Sequence, residues 1–119
     1  MTDTSLRQRL RAALPVAMKA RDKAATAVLR ATLAAIDNAE AVAPDELPPA
    51  GSLAIEQVPI GAGATEVARR LLTEPDVDRI VRAELAEREA AADEYDRIGR
   101  PDRAEQLRGE ARALAVHLD

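Results

Sequence analysis

The sequence predicts an all-α protein: a small bundle of about four helices, with the first kinked at Pro15 and a long Pro/Gly-rich loop between the second and third. Three observations carry this reading. Apolar residues recur at i, i+3, i+4 and i+7 in four separate stretches, the period of one helix face. The 119 residues include no Phe or Trp and a single Tyr, so the core must be built from Leu, Val, Ile and alanine. Alanine brings helix axes close while burying little area, which suits helix-on-helix packing. The stretches are also bounded by helix start and stop residues. The length fits one domain spanning residues 1–119, with roughly a third of the unfolded surface left wet.

The first helix is expected from about Thr4 to Arg21, on the repeat Leu6, Leu10, Ala13, Leu14, Ala17 and Met18. Pro15 interrupts it. An interior proline deletes the hydrogen bond to the Arg11 carbonyl and costs about 3 kcal/mol, which predicts a kink or a short break near Leu14. Asp22 can N-cap a second helix whose apolar set is Val28, Leu29, Thr32, Leu33, Ala35, Ile36 and Ala39, with Arg30, Ala34, Asp37 and Ala41 on the opposite side. That helix must stop before Pro44, because the residue preceding a proline is driven out of the α region.

From about 44 to 66 the chain holds Pro44, Pro48, Pro49, Gly51, Pro59, Gly61 and Gly63, which breaks any helix and reads as a loop excursion, a candidate docking arm. Leu53-Ala54-Ile55 and Val58-Pro59-Ile60 are expected to lie extended, with Pro59 excluding a central strand. Gly61-Ala62-Gly63-Ala64 lacks the Lys and hydroxyl residue of a phosphate-binding loop. Thr65 to Leu72 is expected to form a short helical turn carrying Arg69 and Arg70. Thr73-Glu74-Pro75-Asp76 then starts the third helix: Thr73 caps, Asp76 reaches back, and Pro75 sits where its missing donor is harmless. It runs to about Ile98, with Gly99 as a left-handed C-cap. Pro101 starts a fourth helix whose stripe is Ala104, Leu107, Ala111, Leu114 and Leu118, antiparallel to the third.

The third helix carries an anomaly. At 100° per residue, Val77, Glu84, Arg88 and Tyr95 fall within about 40° of one another, so an ion pair is drawn into the packed face. One reading is an i to i+4 salt bridge half covered by a neighbouring helix. The other is a shallow hollow beside Arg88, left by Ala91 and Ala92 and walled by Tyr95, that would suit a carboxylate or phosphate.

No catalytic constellation is present. Zero cysteines exclude disulfides and thiolate metal sites, and one histidine cannot build a metal cluster or a triad, so no catalytic residue, metal or cofactor is assigned. The many carboxylates read as a solvated helix face. His117, near the end of the last helix, is expected to serve its C-terminus as an imidazolium, favoured there by about 0.3 to 1 kcal/mol. No segment approaches the roughly 18 apolar residues that span a bilayer, and the start lacks the marks of a signal peptide, so the expectation is a cytoplasmic protein with no membrane partner.

The net charge of −4 is unevenly spread. Residues 1–43 hold seven basic groups against four acidic ones, whereas residues 73–119 hold eight against thirteen. An acidic total argues against DNA coating, while the positive first third can meet an RNA phosphate backbone. The candidates are Lys19, Arg21 and Lys23 at the first helix junction, with Arg7 and Arg11 on one helix face. No aromatic residue interleaves them, so the contact would be shape-based and sequence-tolerant.

The stretch Leu29-Arg30-Ala31-Thr32-Leu33-Ala34-Ala35-Ile36-Asp37-Asn38-Ala39-Glu40, followed by Glu84-Leu85-Ala86-Glu87-Arg88, Glu94-Tyr95-Asp96-Arg97-Ile98-Gly99-Arg100-Pro101-Asp102 and Glu105-Gln106-Leu107-Arg108-Gly109-Glu110, resembles the GatB/YqeY family. The opening from Leu6 to Lys23 fits the usual start of that family. The pattern positions are Arg30, Asn38, Glu84, Arg88, Tyr95, Gly99, Arg100 and Asp102. The resemblance implies an all-helical domain similar to the tail of the B subunit of the bacterial glutamyl-tRNA and aspartyl-tRNA amidotransferase, where the tail helps hold tRNA. Such proteins carry the label of carbon-nitrogen ligase activity with glutamine as amido donor. No ATP-grasping region or amidase nucleophile stands in this chain, so catalysis by it alone is not expected. Two departures are noted: the chain is expected to be a short form lacking the family's second small helical domain, and its 44–66 loop is longer than usual. The expected partners are tRNA or amidotransferase subunits. The alternative is a protein-interaction module without RNA contact, using the 44–66 loop or the alanine-rich helical face.

Overall fold

A computed structural model of the chain describes residues 4–41 and 71–118. Four helices account for most of them: α1 Leu6–Lys19, α2 Lys23–Glu40, α3 Glu74–Arg97 and α4 Pro101–Ala115. The described residues contain no strand, so the all-α expectation holds. Of the described residues, 4–36 and 73–118 make one compact unit. The 44–66 excursion, its extended segments and the helical turn from Thr65 lie outside the described residues, apart from Leu71 and Leu72.

Local chemistry places each helix end. Ser5 Oγ accepts from the Gln8 amide at 3.1 Å and Gln8 Oε1 accepts from the Ser5 amide at 3.0 Å, a reciprocal cap that starts α1. Asp22 Oδ1 accepts from the Ala25 amide at 3.0 Å and starts α2. Thr73 Oγ1 accepts from the Asp76 amide at 3.2 Å, while Asp76 Oδ2 accepts from the Thr73 amide at 3.0 Å. The Thr73 amide and hydroxyl, helped by Arg79, hold the Asp76 carboxyl below its ordinary value. Pro15 does not split α1, which runs through it in one piece. Pro15 and Arg11 are both exposed, so the carbonyl that loses its amide donor can turn to water.

The core sits where the four stripes meet. Leu10, Val28, Leu29, Ile36, Val81 and Leu114 are fully buried, with Leu6, Ala17, Val77 and Ala111 around them. Thr32 is also fully buried and its Oγ1 has no hydrogen-bond partner, a local cost the aliphatic neighbours must offset. Arg30, Ala34, Asp37 and Ala41 lie on the exposed side of α2, as their spacing predicts. A second, smaller cluster of Ala92, Ala104 and Leu107, flanked by Ala91 and Tyr95, closes the far end of the α3–α4 hairpin. The helices are antiparallel, because Arg108 of α4 pairs with Asp93 and Asp96 of α3 while Glu110 pairs with Arg88.

Candidate functional site

Two places in the fold concentrate charge, and they differ in whether that charge is already satisfied. On the hairpin, Arg88 Nη1 donates to Glu84 Oε1 at 2.8 Å and to the Glu84 carbonyl at 3.1 Å, and Arg88 Nε donates to Glu110 Oε1 at 3.3 Å. The side chains of Arg88, Glu84 and Glu110 are only 15%, 19% and 10% exposed. The ion pair anticipated from the α3 stripe is therefore one arm of a three-residue bridge, and its other arm crosses to α4. Sequence spacing held the signal for Glu110: it lies three residues after Leu107 and four before Leu114, in the buried stripe of α4.

The hollow beside Arg88 differs from expectation. Ala92 is fully buried and forms no wall, and Tyr95 packs into the tip cluster with the Arg103 guanidinium 5.7 Å over its ring. The depression beside Arg88, about 270 Å³, is lined by Glu87, Arg88, Ala91, Arg103, Leu107 and Glu110. Two carboxylates already engage Arg88, so an added anion would meet net negative charge there. Arg88 joins helices; it does not present a free cation. Gly99 takes φ +82° at the helix end, Arg100 is the N-cap of α4 without a side-chain cap bond, and Asp102 lies exposed in the first turn of α4. Arg30 and Asn38 are exposed on α2, with Arg30 Nη2 3.8 Å from Met18 Sδ.

The second concentration is at the α1–α2 junction. Lys19, Arg21 and Lys23 are exposed there, and Arg11 is exposed further up α1. Among the described residues none of these four side chains has a hydrogen bond or ion pair. The carboxylate of Asp22, within the same turn, caps α2. Arg7 differs from the other candidates in being half-buried. Six of the eight arginines from α3 to α4 provide the contrast. Arg79 pairs with Asp76, Arg82 with Asp78, Arg88 with Glu84 and Glu110, Arg97 with Glu94, Arg108 with Asp93 and Asp96, and Arg112 with Glu105. Two hydrogen-bonded carboxylates, Asp96 first and Asp93 second, raise the Arg108 pKa further.

The junction turn has a defined backbone. The Asp22 amide donates to the Ala17 carbonyl at 2.9 Å and the Arg21 amide to the Met18 carbonyl at 3.1 Å. This is the paired-bond end of an α-helix, with Arg21 in the left-handed position at φ +59°. Beside the turn, Ala13, Val16, Ala17, Ala25, Leu29 and Val116 line an open apolar hollow of about 340 Å³ that His117 also borders. Val16 and Val116 are 68% and 75% exposed.

His117 behaves opposite to its expected role. Burial and then the positive charge of Arg9 lower its pKa, so the neutral imidazole is favoured. The helix C-terminus is served by Arg9, whose Nη2 donates to the His117 carbonyl at 3.0 Å.

Among the described residues no group of acidic or imidazole side chains is arranged to hold a metal ion, and no helix is long and apolar enough to cross a membrane. No family model, curated protein or solved structure matches this chain.

Proposed function

We propose that the chain is a non-catalytic, tRNA-associated helical module working beside an amidotransferase. The observation that carries this reading is the set of exposed cations, Arg11, Lys19, Arg21 and Lys23, on α1, the turn after it and the start of α2, none of which makes a side-chain hydrogen bond or ion pair among the described residues. Six of the hairpin arginines are engaged by intramolecular carboxylates, whereas these four remain available to a polyanion. Arg11 and Lys19 are separated by about 12 Å of helix rise, so the cations spread over several phosphates and do not converge on one. The resemblance of the chain to the GatB/YqeY family names the polyanion as tRNA. It also names the pathway, amide transfer from glutamine, to which this chain would contribute binding and not chemistry.

The test is tRNA binding by the intact chain at low and moderate salt, with Lys19, Arg21 and Lys23 changed together to Glu. Binding should weaken steeply with salt, and the triple reversal should abolish it. Salt-independent binding, or reversal without effect, refutes the reading. One observation favours a second reading, a protein partner seated on the apolar hollow: the exposure of Val16 and Val116 at its rim. If tRNA does not bind while Val16→Asp removes a defined protein partner of the intact chain, the second reading replaces the first.

A further inference from the structure

The chain ends two of its helices with the same backbone device and fills the critical position differently. At the end of α3 the Arg100 amide donates to the Tyr95 carbonyl at 2.7 Å and the Gly99 amide to the Asp96 carbonyl at 3.1 Å, with Gly99 at φ +82°. At the end of α1 the bonds from Asp22 and Arg21 repeat that pattern, with Arg21 at φ +59°. Glycine takes this conformation without penalty, whereas any Cβ crowds the backbone. Arg21 is the only non-glycine residue with positive φ among those described.

Nothing within the described residues accounts for arginine there. Its side chain is exposed and makes no hydrogen bond or ion pair among them. The favourable interaction of a cation with the helix C-terminus is already supplied by Lys19 in the last turn of α1. A strained conformation kept without internal compensation points to an external use for the side chain.

We infer that Arg21 is the anchor of the RNA contact: the turn that carries Lys19 and Lys23 to either side of it in sequence keeps an exposed guanidinium for phosphate at the expense of helix-end stability. This rests on the RNA reading above. Guanidinium presents a planar fork to phosphate oxygens, so its loss should exceed that of a neighbouring lysine.

The experiment compares Arg21→Gly with Lys19→Ala, reading both the melting temperature and tRNA affinity at two salt concentrations. Arg21→Gly should raise the melting temperature by about 3 to 6 °C, since it relieves the left-handed residue. It should also weaken tRNA binding about tenfold and reduce the salt slope by about one. Lys19→Ala should give no rise in melting temperature and a smaller loss of affinity. The inference is overturned if Arg21→Gly binds tRNA within about threefold of the parent, loses no more than Lys19→Ala, or fails to raise the melting temperature. Absence of tRNA binding by the parent chain overturns the RNA reading itself, and this inference with it.

Discussion

At the scale of single residues, His117 shows how a neighbour inverts an intrinsic preference. A histidine near a helix C-terminus is ordinarily stabilised as a cation. Here burial and the charge of Arg9 lower its pKa from 6.5. The unfolded chain therefore binds a proton that the folded chain refuses, and stability must fall as pH drops below about 6.5 until the folded imidazole itself titrates. We expect the melting temperature to decline from about pH 7.5 to 5.5, and His117→Gln to flatten that decline. A thermal denaturation series across that range checks it, and identical slopes for both chains would remove His117 as the cause. Asp76 acts in the same direction at lower pH. Its lowered pKa contributes stability that is present above the ordinary value of 3.8 and disappears only in stronger acid, so the two groups separate cleanly in pH.

At the scale of elements, the α3–α4 hairpin depends on the Arg88 bridge for its register. Along α3, Arg88 lies between buried Val81 and buried Ala92; along α4, Glu110 lies between Leu107 and Leu114. One guanidinium thus ties two carboxylates at the junction between the main core and the tip cluster. Removing it leaves Glu84 and Glu110 facing each other with little solvent, which should cost about 3 kcal/mol. Arg97, which pairs with Glu94 on the exposed side, should cost less than about 1 kcal/mol. Arg88→Ala is therefore expected to lower the melting temperature well below that of Arg97→Ala, and equal effects in a thermal melt would return the bridge to a surface role.

The elements also show what a sequence reveals. The Thr73–Asp76 cap, the Asp22 cap and left-handed Gly99 were legible, because each is decided within four or five residues. The buried stripes of α2 and α4 were legible for the same reason, being periodic. The partnership of Arg88 with Glu110 was not, since it spans 22 residues and depends on how the hairpin closes. Nor was the lowered pKa of His117, which comes from burial first and then from the charge of Arg9, 108 residues away in the chain. Arg21 in the left-handed region defeats the glycine rule outright, and no local pattern announced it. Of the RNA candidates, Arg11, Lys19, Arg21 and Lys23 are exposed, as their places on α1 and at the junction suggest, while Arg7 is half-buried.

At the scale of the whole molecule, charge is divided between two uses. The acidic final third engages six of its arginines with carboxylates, and Arg88 and Arg108 thereby tie α3 to α4, while Arg11, Lys19, Arg21 and Lys23 have no carboxylate partner among the described residues. In a chain of net charge −4 this division is what the proposed RNA contact rests on, because local charge and not the total decides where a polyanion would land. Salt bridges on the hairpin add little stability each where they are exposed. The most direct measurement is an amide chemical-shift titration of the isotope-labelled chain with tRNA. Shifts confined to residues 11–30, centred on Lys19 to Lys23 and suppressed by added salt, are the expected result. Shifts centred on α3 and α4, or none at any salt, would contradict it.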